Sequence, residues 1–526
     1  MKRDLVMVVL LALLVIVAHG AVVGQWWLWD DPQLLYGVMQ TPVLEHFVNP
    51  HAWQQESTAN FVPMLMLGYE VDFRLFGVNP RGFYLHDLFV FIAAIAGVYA
   101  FARMYAEIEV AWIAAATIAL SQPAFTVASL LMDRHYAEGL LMSIIALVLF
   151  RKSGERSLLA LLATIFYFVA CIEKEVFVPL PLLVIAQDWV TRNIRHWLRH
   201  AILCGGAALL YVVWRIAMLG SFGGYGGSSS AGTHLPGEAL GFLGGFPGGI
   251  IFAIALLAIA IRRNAWRALP LVIAALIFAV LPIASLTVLD SRYLFVASVV
   301  MVLLCAAAVP RIRSIEGALF GALAILIVTG GVLHATRLRQ NLDRIQRDGL
   351  YLWNAPATSR PLFTAANGWY VEGIRWLRHT VKGDDAPAAI ASYPGLVMRK
   401  LSPQNVAFTS PQNPADVMRR YAEVRKHLDR AMPLSVELKR EDSILRWNLG
   451  PAKPGDAFFL VTPFEELVWT RSASGWVRLP ADIQVPTASS ETVRMIRVMR
   501  RSGDSWTFSA PLQFPNVGET VTWRQW

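Results

Sequence analysis

Long apolar segments recur through the first two thirds of the chain, and they constrain its fold more than any other feature. A helix needs roughly 20 apolar residues to cross a hydrocarbon core of about 30 Å. Hydrophobic residues make up 56% of the chain and charged residues only 16%, unlike soluble domains. The sequence therefore predicts an all-α polytopic membrane domain with eleven spans, at about 5–23, 85–102, 110–128, 137–150, 157–172, 176–189, 200–219, 245–261, 268–285, 293–309 and 315–336.

The basic residues of the short loops predict the orientation of these spans. Lys and Arg accumulate on the cytoplasmic side of membrane proteins. Here they are concentrated in alternate loops, at Lys2, Arg3, Arg151, Lys152, Arg156, Arg192, Arg195, Arg199, Arg262, Arg263, Arg267, Arg311 and Arg313. We therefore expect an inner-membrane protein with a cytoplasmic amino terminus. The net charge of +9 is then mostly a topology signal, and it requires no nucleic-acid partner.

A second domain follows the last span. From about Arg337 hydropathy falls, and charges, prolines and tryptophans become frequent. The boundaries predicted are 1–336 for the membrane domain and 337–526 for a soluble domain, which an odd span count places in the periplasm. Its periodicity favours an α/β or α+β fold, with a helix at Asp416–Ala431 and strands at Ala457–Thr462, Gly475–Leu479, Thr492–Arg500 and Trp506–Ala510.

The first periplasmic loop, at about 25–83, opens with the motif Trp29-Asp30-Asp31-Pro32. Two adjacent carboxylates at a membrane interface are costly unless they have a role. Pro32 suits the first position of a helix, which would make Asp31 the N-cap of an interfacial helix through Leu35 and Val38. Asp30 then has no capping role, and it could serve as a general base.

Further motifs follow in order along the outer loops. They are Asn60-Phe61-Val62-Pro63, Leu75-Phe76-Gly77-Val78-Asn79-Pro80-Arg81-Gly82-Phe83, Pro123, Asp133-Arg134, Glu173-Lys174-Glu175-Val176 with Pro179 and Pro181, and Asp290-Ser291-Arg292-Tyr293-Leu294. With the acidic pair of loop one, they resemble membrane glycosyltransferases of the GT-C superfamily, particularly protein O-mannosyltransferases. The resemblance covers roughly residues 20–300. The C-terminal domain lacks the tetratricopeptide repeats of the animal enzymes, which implies a bacterial branch with its own acceptor.

The resemblance implies an inverting hexosyl- or pentosyltransferase that uses a polyprenyl-phosphate sugar. Such a reaction needs a carboxylate to take the acceptor's proton and cations to stabilise the departing phosphate. Asp30, next to Asp31, fits the base. The phosphate-binding candidates, each at the periplasmic end of a different span, are Arg134, Lys174, Arg215 and Arg292, with Asp133, Glu175 and Tyr293 as further pocket candidates. Alternatively, each cation snorkels to the interface or pairs with a neighbouring carboxylate.

The expected partners are the lipid-linked sugar, membrane lipids and a periplasmic acceptor, which could be a protein, a pilin or a cell-envelope glycan or lipid. No cofactor is expected. A divalent metal between the loop-one acids is possible, as in the oligosaccharyltransferase branch, but the single-phosphate branch generally works without one. The alternative functions are an oligosaccharide ligase or polymerase with a lipid-diphosphate donor, a lipid or glycan transporter, and a non-catalytic assembly protein. A transporter would show ionisable residues near the bilayer midplane and matched halves.

Overall fold

The structure, a computed structural model, describes residues 2–57, 60–190, 194–220, 290–309 and 311–359, most of 251–259, 269–280 and 362–391, and much of 435–524. The chain divides into two compact units. The membrane unit comprises Met1–Gln25 and Thr41–Arg339. The C-terminal unit comprises Trp26–Gln40 and Gln340–Trp526.

Helices occupy the predicted apolar runs wherever those runs are described. Their bounds are Lys2–His19, Pro80–Ala102, Ile108–Ala119, Gln122–Ser129, Arg134–Ser153, Ser157–Glu173, Leu180–Val190, Ile194–Leu219, Leu269–Val280, Phe295–Ala307 and Ile315–Asn354. The predicted run at 245–261 lies mostly outside the described residues. The Leu180–Val190 helix has 11 residues and is therefore only about 16 Å long, which is shorter than the hydrocarbon core.

The number of spans that the described residues support is smaller than the predicted eleven. Four helices are long and apolar enough to cross a membrane, namely Lys2–Gly24, Pro80–Ala102, His196–Leu219 and Ile315–Asn354. A fifth candidate is the pair Ile108–Ala119 and Gln122–Ser129, which is bent by 58°. The protein is therefore a multi-pass membrane protein, but eleven spans are not confirmed. Several predicted runs form helices that are shorter than a full bilayer crossing.

The predicted first loop is largely helical, with helices Asp31–Gln40, Glu45–Val48, Pro50–Glu56 and Pro63–Phe76. Asn-Pro pairs start two helices of this region. The side chain of Asn49 accepts from the backbone N–H groups of His51 and Ala52, and the side chain of Asn79 accepts from that of Arg81. In each case the following proline occupies the first helical turn, where its missing N–H costs nothing. The Asn79 cap explains why the helix of the second span, predicted at about 85–102, begins earlier, at Pro80.

The C-terminal unit contains parallel and antiparallel strand pairs. The strands are β1 Leu362–Thr364, β2 Ala389–Ala391, β3 Ser435–Glu441, β4 Ile444–Asn448, β5 Asp456–Val461, β6 Val468–Trp469, β7 Ser474–Arg478, β8 Met495–Ser502, β9 Ser505–Phe508, β10 Leu512–Gln513 and β11 Thr520–Arg524. The parallel β1–β2 pair is joined through the helix Gly368–Lys382. The antiparallel sheets run in the orders β11-β3-β4-β7 and β10-β8-β5-β6, with β9 beside β8.

A hydrophobic core that includes Leu438, Leu445, Phe458, Leu460 and Val498 draws residues from both antiparallel sheets. Four of these strands, β5, β7, β8 and β9, coincide with the predicted ones to within a few residues. The other strands were not predicted; in β3 the buried Arg440 occupies an inward position where an apolar residue is expected. The helical pattern predicted at Asp416–Ala431 lies outside the described residues.

Candidate functional site

Three of the four predicted phosphate-binding cations lie together in the membrane unit. Lys174 lies in the turn after the Ser157–Glu173 helix, Arg215 in the last turns of the Ile194–Leu219 helix, and Arg292 in the turn that leads into the Phe295–Ala307 helix. These are the helix ends that the charge pattern assigns to the outer face. We call Lys174, Arg215 and Arg292, with Asp133, Glu175 and Tyr293, the cation cluster.

Glu175 links two of the cations. Its Oε1 atom lies 3.5 Å from the Nζ atom of Lys174, and its Oε2 atom lies 3.7 Å from the Nη1 atom of Arg215. The Lys174 ammonium is also 5.7 Å from the centre of the Tyr136 ring. Lys174 and Arg215 are 5% and 8% exposed, so their charges are largely removed from solvent. Charges held this far from water interact more strongly with an ionic ligand than surface charges do.

Arg292 forms the other side of the cluster. Its Nη1 atom donates to Asp133 Oδ1 at 3.1 Å, and its guanidinium lies 5.1 Å from the centre of the Tyr293 ring. Asp290 contributes a longer ion pair, with 3.8 Å between its Oδ2 atom and Arg292 Nε. Within the described part of the chain, Arg292 Nε and the hydroxyl of Tyr136 are buried donors that have no hydrogen-bond acceptor. The cluster can therefore offer further donors to an anion.

Burial and mutual charge shape the titration of the groups in the turns. Burial raises the pKa of Asp133 to about 7, against the opposing effect of Arg292. Burial also lowers the pKa of the Lys174 ammonium, and the nearby charges of Arg292 and Arg215 lower it further. Burial alone would raise the pKa of Glu175, but Lys174 and Arg215 hold it below its usual value. An anionic ligand would offset the repulsion among the three cations.

Arg134, the fourth predicted cation, has partners outside the cation cluster. It is fully buried, forms an ion pair with Asp72, and lies 5.0 Å from the centre of the Tyr69 ring. Glu138 is a further partner, with 3.9 Å between its Oε1 atom and Arg134 Nε. Gly68 packs so closely on the guanidinium that a Cβ atom there would collide with it. Three residues of the helix Pro63–Phe76 therefore contact Arg134, namely Gly68, Tyr69 and Asp72.

An apolar cavity begins one helical turn from the cation cluster. Three residues that line the cavity each follow a residue of the cluster, or one in contact with it, by three or four positions. They are Leu140 after Tyr136, Phe177 after Lys174, and Val296 after Arg292. Along the Phe295–Ala307 helix the lining continues from Val296 to Ala307, a length of about 16 Å. Its surface is almost entirely apolar, and its few polar lining residues are Tyr105, Ser143 and Gln187. The cation cluster and the apolar cavity are therefore neighbours along these three segments.

The acidic pair belongs to the C-terminal unit. The helix begins at Asp31, one residue earlier than predicted, and runs to Gln40. Asp31 is fully buried, and its Oδ2 atom accepts from the backbone N–H of Leu28 at 2.8 Å. The backbone carbonyl of Asp30 accepts from the N–H of Leu34 at 3.0 Å, which puts Asp30 at the N-cap position. The predicted N-cap at Asp31 is therefore wrong, because the first intrahelical hydrogen bonds are accepted by the carbonyl of Asp30, and the expectation that Asp30 lies outside the cap is wrong with it.

Two residues that contact the cation cluster were not predicted from the sequence. The ring of Tyr136 contacts Lys174, and the hydroxyl of Tyr211 accepts a hydrogen bond from Arg215 Nη1 at 3.3 Å. The spacing of four residues between Tyr211 and Arg215 on one helix could have indicated this contact. Among the described residues, no group of three or more His, Cys, Asp or Glu side chains could hold a metal ion. The expected independence from metal stays a prediction.

Comparisons with known proteins give a structural likeness. Neither a scan of protein-family models nor a search of curated proteins found a match. Among solved structures, the chain is similar to the Archaeoglobus fulgidus oligosaccharyltransferase, crystallised with a tethered acceptor peptide containing the NVT sequon. The identity is 14%, the TM-score is 0.43, and the match covers 72% of this chain. The match covers 63% of the archaeal chain, which is less than two thirds of its length.

Proposed function

We propose that the protein is an inverting glycosyltransferase of the GT-C type, which transfers a sugar from a polyprenyl-phosphate donor to an acceptor at the outer face of the membrane. One observation carries this proposal. Three cations lie together, of which Lys174 and Arg215 are buried and the side chain of Arg292 is 20% exposed, and an apolar cavity begins about one helical turn further along the same helices and turns. A polyprenyl phosphate has the matching chemistry, because it joins one compact anion to a long apolar tail.

The cations have a clear task in this reaction. As the bond between the anomeric carbon and the phosphate oxygen breaks, negative charge grows on the departing phosphate. Lys174, Arg215 and Arg292 would stabilise that charge, and their low exposure would strengthen the interaction. Arginine also binds phosphate oxygens in a bidentate manner, which would fix the orientation of the headgroup. Arg134 is left out of this assignment, because its ion pair with Asp72 lies outside the cation cluster.

The base is assigned on the sequence motif. A carboxylate must take the proton of the acceptor nucleophile as the new glycosidic bond forms. Asp30 remains our candidate, since Asp31 is fully buried and its Oδ2 atom accepts a hydrogen bond from the backbone N–H of Leu28. Asp30 is half-buried, so its carboxylate is the more accessible of the two.

The cation cluster predicts a specific loss of donor binding. Replacing Lys174 or Arg292 with Gln should weaken binding of a polyprenyl-phosphate sugar by about 1.5–3 kcal/mol, the range for a hydrogen bond to a charged group. This corresponds to about 10- to 150-fold in Kd. Binding would be measured on the purified protein in lipid nanodiscs, with polyprenol as the headgroup-free control ligand.

The matched control is Arg74→Gln, because Arg74 also forms an ion pair, with Glu70, but lies outside the cluster. This variant should bind the donor like the wild type. If the Lys174 and Arg292 variants also bind like the wild type, the phosphate is held elsewhere and the proposed function loses the observation that carries it.

A further inference from the structure

The segment that carries the acidic pair packs within the C-terminal unit. The helix Asp31–Gln40 lies against the helix Gly368–Lys382, and both belong to that unit. Just before the acidic pair, the hydroxyl of Tyr370 donates to the backbone carbonyl of Trp27 at 2.8 Å. Tyr370 is fully buried, so this hydrogen bond is shielded from water. The contact fixes the backbone three residues before Asp30.

A glycine permits the two helices to approach closely. Gly373 lies one turn after Tyr370, and a Cβ atom at this position would lie 2.6 Å from Gln33 Cγ and 3.2 Å from Pro32 Cβ. Both distances are shorter than ordinary contacts, so the helix start beyond Asp31 is held as tightly as the chain before Trp29. Further along, the rings of Tyr36 and Trp376 lie 5.5 Å apart.

The backbone between these two contacts is strained. Among the described residues, Trp29 is the one non-glycine residue with a positive φ, at 46°. A bulky residue in the left-handed region costs free energy, and such a conformation persists only where its surroundings fix it. Tyr370 fixes the chain before Trp29, the Leu28–Asp31 hydrogen bond closes the turn, and Gly373 abuts the helix after it.

We infer that Tyr370 and Gly373 set the position of Asp30, because they hold the turn that carries it. They are positioning residues, since each acts through the backbone around the acidic pair. The inference rests on the proposed function for the role of Asp30. It predicts that Tyr370 affects turnover and that donor binding does not depend on Tyr370.

Hydrogen exchange of the full-length protein in nanodiscs tests the holding role directly. Tyr370→Phe should increase amide exchange in the peptide 26–40 about 3- to 10-fold, the equivalent of one net hydrogen bond. Gly373→Ala should have a similar effect, although alanine favours the helix itself. The matched control is Tyr99→Phe, which removes the hydroxyl that donates to Asp4 in the membrane unit. It should leave peptide 26–40 unchanged. Unchanged exchange in both test variants would overturn the inference.

Kinetics then separate this inference from the proposed function. With a polyprenyl-phosphate sugar, Tyr370→Phe should lower kcat about 10- to 100-fold and leave donor Kd unchanged, as expected when a reacting group is displaced. Faster exchange with an unaltered kcat would refute a role of the turn in catalysis while the proposed function stands. A wild-type protein that binds the lipid but never transfers sugar would refute the proposed function, and the exchange result alone would then decide whether the C-terminal unit holds the turn.

Discussion

Replacing Asp30 with Asn is expected to lower turnover by about 10²–10⁴, the usual contribution of general acid–base catalysis. Asparagine is nearly isosteric with aspartate, so the N-cap position and the turn should persist. Donor binding should be unchanged, because the proposed phosphate ligands lie in the cation cluster. The measurement is the initial rate at saturating donor, with thermal stability compared to confirm that folding is equal.

Asp31→Asn is the matched control. Its amide oxygen can still accept from the N–H of Leu28, so the turn is kept and the loss should be about tenfold or less. Equal losses in the two variants would mean that the carboxylates act as a unit, for example around a metal ion. Full activity of Asp30→Asn would end its candidacy as the base.

Removing the carboxylate of Asp72 is expected to cost about 3–5 kcal/mol of stability, the usual effect of leaving a buried charge unpaired. Asp72 and Arg134 are both fully buried and form an ion pair that joins the Pro63–Phe76 helix to the Arg134–Ser153 helix. The measurement is the unfolding free energy of Asp72→Ala in detergent. Glu70→Ala, which breaks the surface pair with Arg74 on the same helix, should cost about 1 kcal/mol or less.

Removing both charges tests whether Arg134 serves a structural ion pair with Asp72 or binds the donor phosphate. The double variant Asp72→Leu with Arg134→Met should recover much of the lost stability, because apolar side chains can replace a buried ion pair. It should also bind the polyprenyl-phosphate sugar like the wild type. Weakened donor binding in a stable double variant would return Arg134 to the phosphate site, as the sequence first suggested.

The sequence anticipated part of the site because loop charges follow simple rules. Lys174, Arg215 and Arg292 were grouped, together with Arg134, by their positions at the predicted periplasmic ends of different spans, and the structure brings these three together. The position of the Arg134 side chain could not be predicted in this way. Its partner Asp72 lies 62 residues earlier in the chain, within a segment predicted as loop. A long-range ion pair leaves no local periodicity in a sequence.

The fold shows the same division between local and long-range information. The helices follow the apolar runs, and the proline starts at Asn49 and Asn79 follow capping preferences. The assignment of Trp26–Gln40 to the C-terminal unit depends on Tyr370, hundreds of residues away, and no local pattern indicates it. The inward position of Arg440 in β3 also obscured a strand whose alternation is otherwise regular.

The proposed donor site can be tested most directly with a polyprenyl phosphate that carries a photoreactive group in its tail. The probe should label helices that line the apolar cavity, near Leu140, Phe177 and Val296, as mapped by mass spectrometry of the labelled peptides. Unlabelled polyprenyl phosphate should compete strongly, whereas polyprenol should compete weakly, because the cation cluster recognises the headgroup. Equal competition by polyprenol, or labelling confined to helices outside the cavity, would contradict the account.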